Sequence, residues 1–161
     1  MNLRIGNGID VHKLSSGEDL ILGGIKIESS VGIVAYSDGD ILIHALVDSI
    51  LGGLSLGDIG THFPSNDLKS KNADSITFLN FSLKEMKKMK YRILNTDLTI
   101  ILQSPSIKKH NYEIRENLSN MLDIDLNQIS LKATTTDNLG FIGQKEGIGV
   151  LATTLLICDG N

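Results

Sequence analysis

Leu3-Arg4-Ile5-Gly6-Asn7-Gly8-Ile9-Asp10-Val11-His12 is the stretch around which the rest of the chain can be read. It reads as a strand over residues 2–12, and a period of two turns Asp10 and His12 to one face. A third residue of metal-binding type, His44, lies in an amphipathic run that starts at Ser37-Asp38-Gly39-Asp40. There Ser37 can serve as N-cap with an acid three residues on, close to a capping box. Apolar residues at 42, 43, 46, 47, 50, 51 and 54 continue at spacings of three and four, predicting a helix over 38–53. Two imidazole nitrogens and one carboxylate oxygen suit zinc and leave a fourth position for substrate or water. Asp48 sits one helical turn beyond His44, placed to serve the outer surroundings of a metal or a ligand. Taken alone, the same residues also fit ordinary surface histidines. His62, in a glycine-rich loop, and His110, read as a solvated helix residue after Lys108-Lys109, are left outside the metal set.

The remaining elements follow from punctuation and periodicity. Residues 19–27 are two short apolar pieces about Gly23-Gly24, a hairpin signature. A helix is predicted over 74–90, capped by Asp74 and ending in lysines, and a third over 107–121. Strands are expected at 96–102, stopped by Pro105, at 128–135, and at 149–158, the last in a central position. Hairpins outnumber what a doubly wound sheet would allow. The expected fold is α+β: a mixed four-stranded sheet with helices packed on one face and a small N-terminal hairpin, as one domain over 1–161.

Length and composition narrow the function classes. A chain of 161 residues with 41% hydrophobic residues can bury a core, filled mainly by Ile and Leu because Trp is absent. A formal charge of -4 without a basic stripe argues against nucleic-acid binding. Cys158 is the only cysteine, so no internal disulfide forms, and a reducing compartment is expected. No apolar run reaches membrane-spanning length and Met1-Asn2-Leu3-Arg4 is no leader, so the expected location is the cytoplasm, away from membranes.

Two further segments bear on phosphate chemistry. Leu56-Gly57-Asp58-Ile59-Gly60-Thr61-His62-Phe63-Pro64-Ser65-Asn66-Asp67 can expose backbone N–H groups, although a plain surface loop fits as well. Ala133-Thr134-Thr135-Thr136-Asp137 places hydroxyls at a strand end beside a carboxylate suited to a hard cation, although Thr also favours strands for its own sake. Neither a P-loop nor a dinucleotide fingerprint is present.

Together, Arg4 through His12, Ser37-Asp38-Gly39-Asp40 with His44-Ala45-Leu46-x-Asp48, Leu56-Gly57-Asp58-Ile59-Gly60 with Phe63-Pro64, and Lys132 through Thr136 with Gly140-Phe141 resemble the 2-C-methyl-D-erythritol 2,4-cyclodiphosphate synthases, from residue 4 to about 157. The resemblance implies a homotrimer with sites between subunits. It implies conversion of 4-diphosphocytidyl-2-C-methyl-D-erythritol 2-phosphate to the cyclic diphosphate and CMP, a step of non-mevalonate isoprenoid synthesis. Asp10, His12 and His44 match the ligands of one zinc per subunit, and Asp137 matches a holder of magnesium or manganese. The methylerythritol and phosphate side is matched by Tyr36, Ser37, Asp48, Asp58, Ile59, Gly60, Phe63, Pro64, Ser65, Asn66 and Asp67. The cytidine and diphosphate side is matched by Leu102, Gln103, Ser104, Pro105, Ser106, Ile107, Lys108, Ala133, Thr134, Thr135 and Thr136. Phe141 and Gln144 match cavity or loop positions. The chain departs from the family's usual residues at Asn7 and Tyr36 (His), Ser106 (Lys), Asp137 (Glu), Gln144 (Arg) and Leu151 (an acid). None of these is a zinc position.

Overall fold

The structure is a computed structural model that describes residues 2–35, 38–64 and 74–158. Strand β1 (Leu3–Ser16) is followed by the short strands β2 (Leu20–Leu22), β3 (Ile25–Ile27) and β4 (Val31–Ile33). Helices α1 (Ile41–Gly53), α2 (Ile59–His62) and α3 (Ser75–Lys88) lead to β5 (Tyr91–Ile101). Then come α4 (Asn111–Leu122), β6 (Ile129–Thr134), the single turn α5 (Gly140–Gly143) and β7 (Gly147–Cys158).

The main sheet has the order β4-β1-β7-β5-β6, with β5 and β6 parallel and the other pairs antiparallel. It is mixed, as expected, but five-stranded instead of four. The extra strand arises because β1 does not stop at His12. It runs on through Lys13-Leu14-Ser15-Ser16, and its last three residues pair with Val31, Gly32 and Ile33. β7 is central, as expected, and carries the longest pairings on both sides. β5 begins at Tyr91, five residues before the expected start, because β7 is long enough to pair with Tyr91 through Cys158. The β2–β3 hairpin turns at Gly23 and Gly24, whose φ values of 60° and 78° are those a tight primed turn requires.

α1 is buried on nearly every side, its Ile41, Leu42, Ile43, Leu46, Val47, Ile50 and Leu51 all within the core. Such a helix is held by tertiary burial instead of by an amphipathic stripe. It begins at Ile41, three residues later than expected, and its N-cap is Asp40. The carboxylate of Asp40 accepts from Ile43 N at 3.1 Å and also from Gly23 N at 2.9 Å and Gly24 N at 2.6 Å, tying the hairpin turn to the helix start. Burial raises its pKa in spite of those three donors. Ser37, the expected cap, lies outside the described residues, as does Tyr36. α3 spans 75–88 instead of 74–90, and Asp74 makes no side-chain cap bond. The expected helix 107–121 is a 3-10 turn at 108–110 followed by α4 at 111–122.

Glycines in β1 set the distance between α1 and the sheet. A Cβ on Gly6 would lie 1.9 Å from Ser49 O, and one on Gly8 1.9 Å from Ala45 O. The helix backbone therefore rests directly on the strand backbone at both positions. Asp10 and His12 continue the same face of β1, which brings them level with the first turns of α1.

Candidate metal centre and the neighbouring cleft

Because α1 sits so close to β1, His44 on its first turns meets Asp10 and His12. Their ligand atoms all lie within 4.8 Å of one another, and each residue is half-buried. His12 Nε2 is 3.2 Å and His44 Nδ1 3.3 Å from the same Asp10 oxygen, Oδ2. Burial raises the pKa of Asp10, but the hydrogen bonds and charge that His12 and His44 offer when their rings are protonated outweigh it and leave the carboxyl well below its ordinary value. The Asp10 contact in turn raises His12, against the opposing effect of burial.

The far nitrogens of both rings meet oxygen. His12 Nδ1 is 3.3 Å from the carbonyl of Val34, an acceptor only, so this nitrogen carries the proton and Nε2 is left bare toward Asp10 when the ring is neutral. His44 Nε2 is 3.0 Å from the hydroxyl of Ser75, at the start of α3. That hydroxyl donates to Asp38 Oδ1, and Ser75 N donates to Asp38 Oδ2 at 3.1 Å, so Asp38 does the work expected of Asp74. Inward-facing lone pairs on two imidazoles beside an ionised carboxylate are the donor set of a divalent transition metal, zinc above all. The residues fit the ion that the sequence implies.

Asp48 does not reach the three ligands. Its Oδ1 accepts from Ile59 N at 2.8 Å, and burial raises its pKa. It thereby fixes the start of α2, where Asp58 caps Thr61 N at 2.8 Å and takes the Thr61 hydroxyl at the same distance. Those bonds lower the Asp58 pKa. Ile59 and Gly60 lie in α2 with Phe63 and Pro64 directly after it, and the Phe63 ring is 4.8 Å from that of Phe78. Phe78 also faces the His44 ring at 5.7 Å. Ser65, Asn66 and Asp67 lie outside the described residues.

A separate cleft of about 760 Å³ opens at the β5–β6 edge of the sheet. Leu102, Gln103, Pro105, Ser106, Ile107 and Lys108 form one wall, and Ala133, Thr134 and Thr135 form another, so the two predicted segments do come together. Ser104 and Thr136 are not among its lining residues, whereas Asn111 and Leu131, which sequence reasoning missed, are. Asn111 Nδ2 donates to Leu131 O at 2.7 Å, fastening α4 to β6 as the floor. Gln103 and Asn138 exchange two hydrogen bonds, at 3.2 and 3.3 Å, that join the walls.

Asp137 and Asn138 form the turn beyond the cleft with φ of 53° and 63°. Asp137 is not part of the group around Asp10. Phe141 lies beside His12 in a second cavity of about 710 Å³, while Gln144 ends α5 in an exposed position. His62 bonds Leu56 O at 2.9 Å and stacks near Phe81, apart from the metal ligands. His110 is not solvated as expected: its side chain is only 17% exposed and its Nε2 is buried, because the 3-10 turn folds it against the protein.

Fold and site together are those of an α+β protein with a group of side chains able to hold a metal, and comparison with known proteins supplies the family. The YgbB family model matches residues 3–157, so the chain belongs to the YgbB family. Relatives named 2-C-methyl-D-erythritol 2,4-cyclodiphosphate synthase include one from Francisella philomiragia, 52% identical over 161 residues with 97% of this chain and 99% of that protein covered. Another, from Clostridium perfringens, is 50% identical over 155 residues, covering 96% and 99%. Among solved structures, a CDP complex of IspF from Plasmodium falciparum superposes with a TM-score of 0.88 at 41% identity, covering 99% of this chain and 98% of that one. The bifunctional IspDF of Campylobacter jejuni gives a TM-score of 0.91 at 41% identity, and this chain spans 42% of that longer protein. The chain is thus an enzyme of the cyclodiphosphate synthase type, acting on a small molecule. Among the described residues no helix is long and apolar enough to cross a membrane.

Proposed function

We propose that the chain, acting as one domain, converts 4-diphosphocytidyl-2-C-methyl-D-erythritol 2-phosphate to 2-C-methyl-D-erythritol 2,4-cyclodiphosphate and CMP, a phosphorus–oxygen lyase reaction of the non-mevalonate isoprenoid pathway. The observation that carries this reading is the meeting of Asp10, His12 and His44 within 4.8 Å, in a chain half identical to named synthases. Those three residues would hold one zinc per subunit, and Asp137 would hold magnesium or manganese. When bound, the cations supply charge neutralisation on the diphosphate during in-line attack of the 2-phosphate on the β-phosphorus.

The protein's own groups position the substrate. The nucleophile is a phosphate already ionised near neutral pH, so no side chain is assigned as general base. Asp48 accepts the Ile59 N–H and so holds the 58–60 turn in place beside the methylerythritol phosphate, curling the chain for ring closure. Phe63 and Pro64 border that turn, and Tyr36, Ser37, Ser65, Asn66 and Asp67 would complete this side. The cleft formed by 102–108 and 133–136 would take the cytidine diphosphate part. That assignment is supported by its shape and by the CDP named for the Plasmodium falciparum relative.

Assembly as a homotrimer, with metal corner and cleft meeting between neighbouring copies, is supported by the outer face of β1 and β7. Leu3, Ile5, Ile9, Val11 and Leu151 stand exposed there in paired rows, an apolar surface that calls for a partner. We place the enzyme in the cytoplasm, in keeping with Cys158 as the one cysteine. Incubation with the substrate, zinc and magnesium, followed by phosphorus NMR, tests the reading. Cyclic diphosphate and CMP are expected; linear phosphates would make the chain a phosphohydrolase.

A further inference from the structure

We infer that Ser75 is a positioning residue that, backed by Asp38, fixes His44 in the neutral tautomer whose bare nitrogen faces Asp10. The inference rests on the zinc reading above and concerns how the site is prepared for the ion. It follows from counting protons. A serine hydroxyl has a single hydrogen, and Asp38, which takes both Ser75 Oγ–H and Ser75 N–H, offers only acceptors. With its hydrogen committed to Asp38, the hydroxyl can only accept from His44 Nε2, 3.0 Å away. The His44 proton is therefore held on Nε2, and the lone pair on Nδ1 points toward Asp10 Oδ2 at 3.3 Å.

That arrangement opposes two electron-rich atoms across the ligand cluster, and a cation between them relieves the opposition. Ser75 is fully buried, so no water competes for its hydroxyl. The same contact joins α1, which carries His44, to the first residue of α3. Sequence gives little hint of this: Asp74 looks like the cap of α3 and Ser75 like a helix residue.

The test compares wild-type protein with Ser75→Ala, which keeps the backbone N–H bond to Asp38. Zinc affinity is read by competition with a chromophoric chelator, and thermal unfolding is followed on metal-free protein. Loss of the contact should weaken zinc binding about 10- to 100-fold while the metal-free unfolding midpoint stays near wild type. Equal affinity in the two proteins would overturn the inference and leave the metal reading intact, whereas no zinc binding by wild type would remove the metal reading itself. Long-range nitrogen-15 correlation spectra of metal-free wild type at about pH 9, above the ordinary imidazole range, give an independent check. His44 should show hydrogen on Nε2, and Asp38→Ala, which frees the hydroxyl to donate, should shift the population toward Nδ1–H. A wild-type ring protonated on Nδ1 would sink the proposal even if Ser75→Ala fails to fold.

Discussion

Asp10, His12 and His44 hang from the longest strand and the most buried helix, while the segments around 102–108 and 133–135 that supply most of the cleft lining are loops and strand ends, tied by a few side-chain bonds such as that of Gln103 to Asn138. The first region has its geometry imposed by backbone contact, with two glycines allowing no slack between helix and strand. The second is open and largely exposed, with Asp137 and Asn138 in a left-handed turn beyond it. The contrast teaches a division of labour. On the proposed function, a metal that demands fixed donor distances is held on rigid elements, whereas a nucleoside is met by adaptable loops.

The sharpest break of this contrast is His44→Ala. It should abolish zinc retention and nearly all turnover, and zinc content of the purified variant together with CMP release measures both. Wild-type zinc content would show that the corner is not the metal centre. Gly8→Ala comes next, because its Cβ would lie 1.9 Å from Ala45 O and must push α1 off the strand. Overpacking of this kind costs about 1–3 kcal/mol, so urea unfolding should show a loss of that order along with weakened zinc binding. A variant as stable as wild type would mean that the corner has slack after all.

Asp137→Ala belongs to the other region. It should leave zinc content unchanged and weaken the dependence of rate on added magnesium or manganese, read from a metal titration. The smallest effect is expected on the outer face, where Lys132 Nζ meets Asp97 Oδ2 at 2.6 Å. Lys132 lowers the Asp97 pKa, so any stability from the pair is present above pH 3.8, the ordinary Asp value, and is lost as pH falls through the depressed one. Both side chains are about half exposed, so Lys132→Ala should cost no more than about 1 kcal/mol near neutrality and nothing in acid. Urea unfolding at several pH values checks the sign.

Much of the site was legible because its signals are local. Asp10 and His12 share a strand face by period alone, and the apolar spacing after Asp40 makes His44 a helix residue whatever surrounds it. The Gly23-Gly24 hairpin is equally local. The fifth strand was not legible, since Val31-Gly32-Ile33 is too short to declare itself and becomes a strand only by pairing with the end of β1. Ser75 and Asp38 were missed for the same reason: their hydrogen bonds span 31 and 37 residues.

The sequence by itself determined which side chains are candidates for the chemistry and which family pattern they follow. It also determined the helix and strand periods, because side-chain alternation and turn preference act within a few residues. Only the tertiary structure decided that α1 lies directly on Gly6 and Gly8, that Asp40 instead of Ser37 starts it, and that the cleft opens at the β5–β6 edge while Asp10 and His12 sit on β1, across β7. Those outcomes depend on which backbones can approach closely and which buried polar groups find partners, and both are properties of the packed chain.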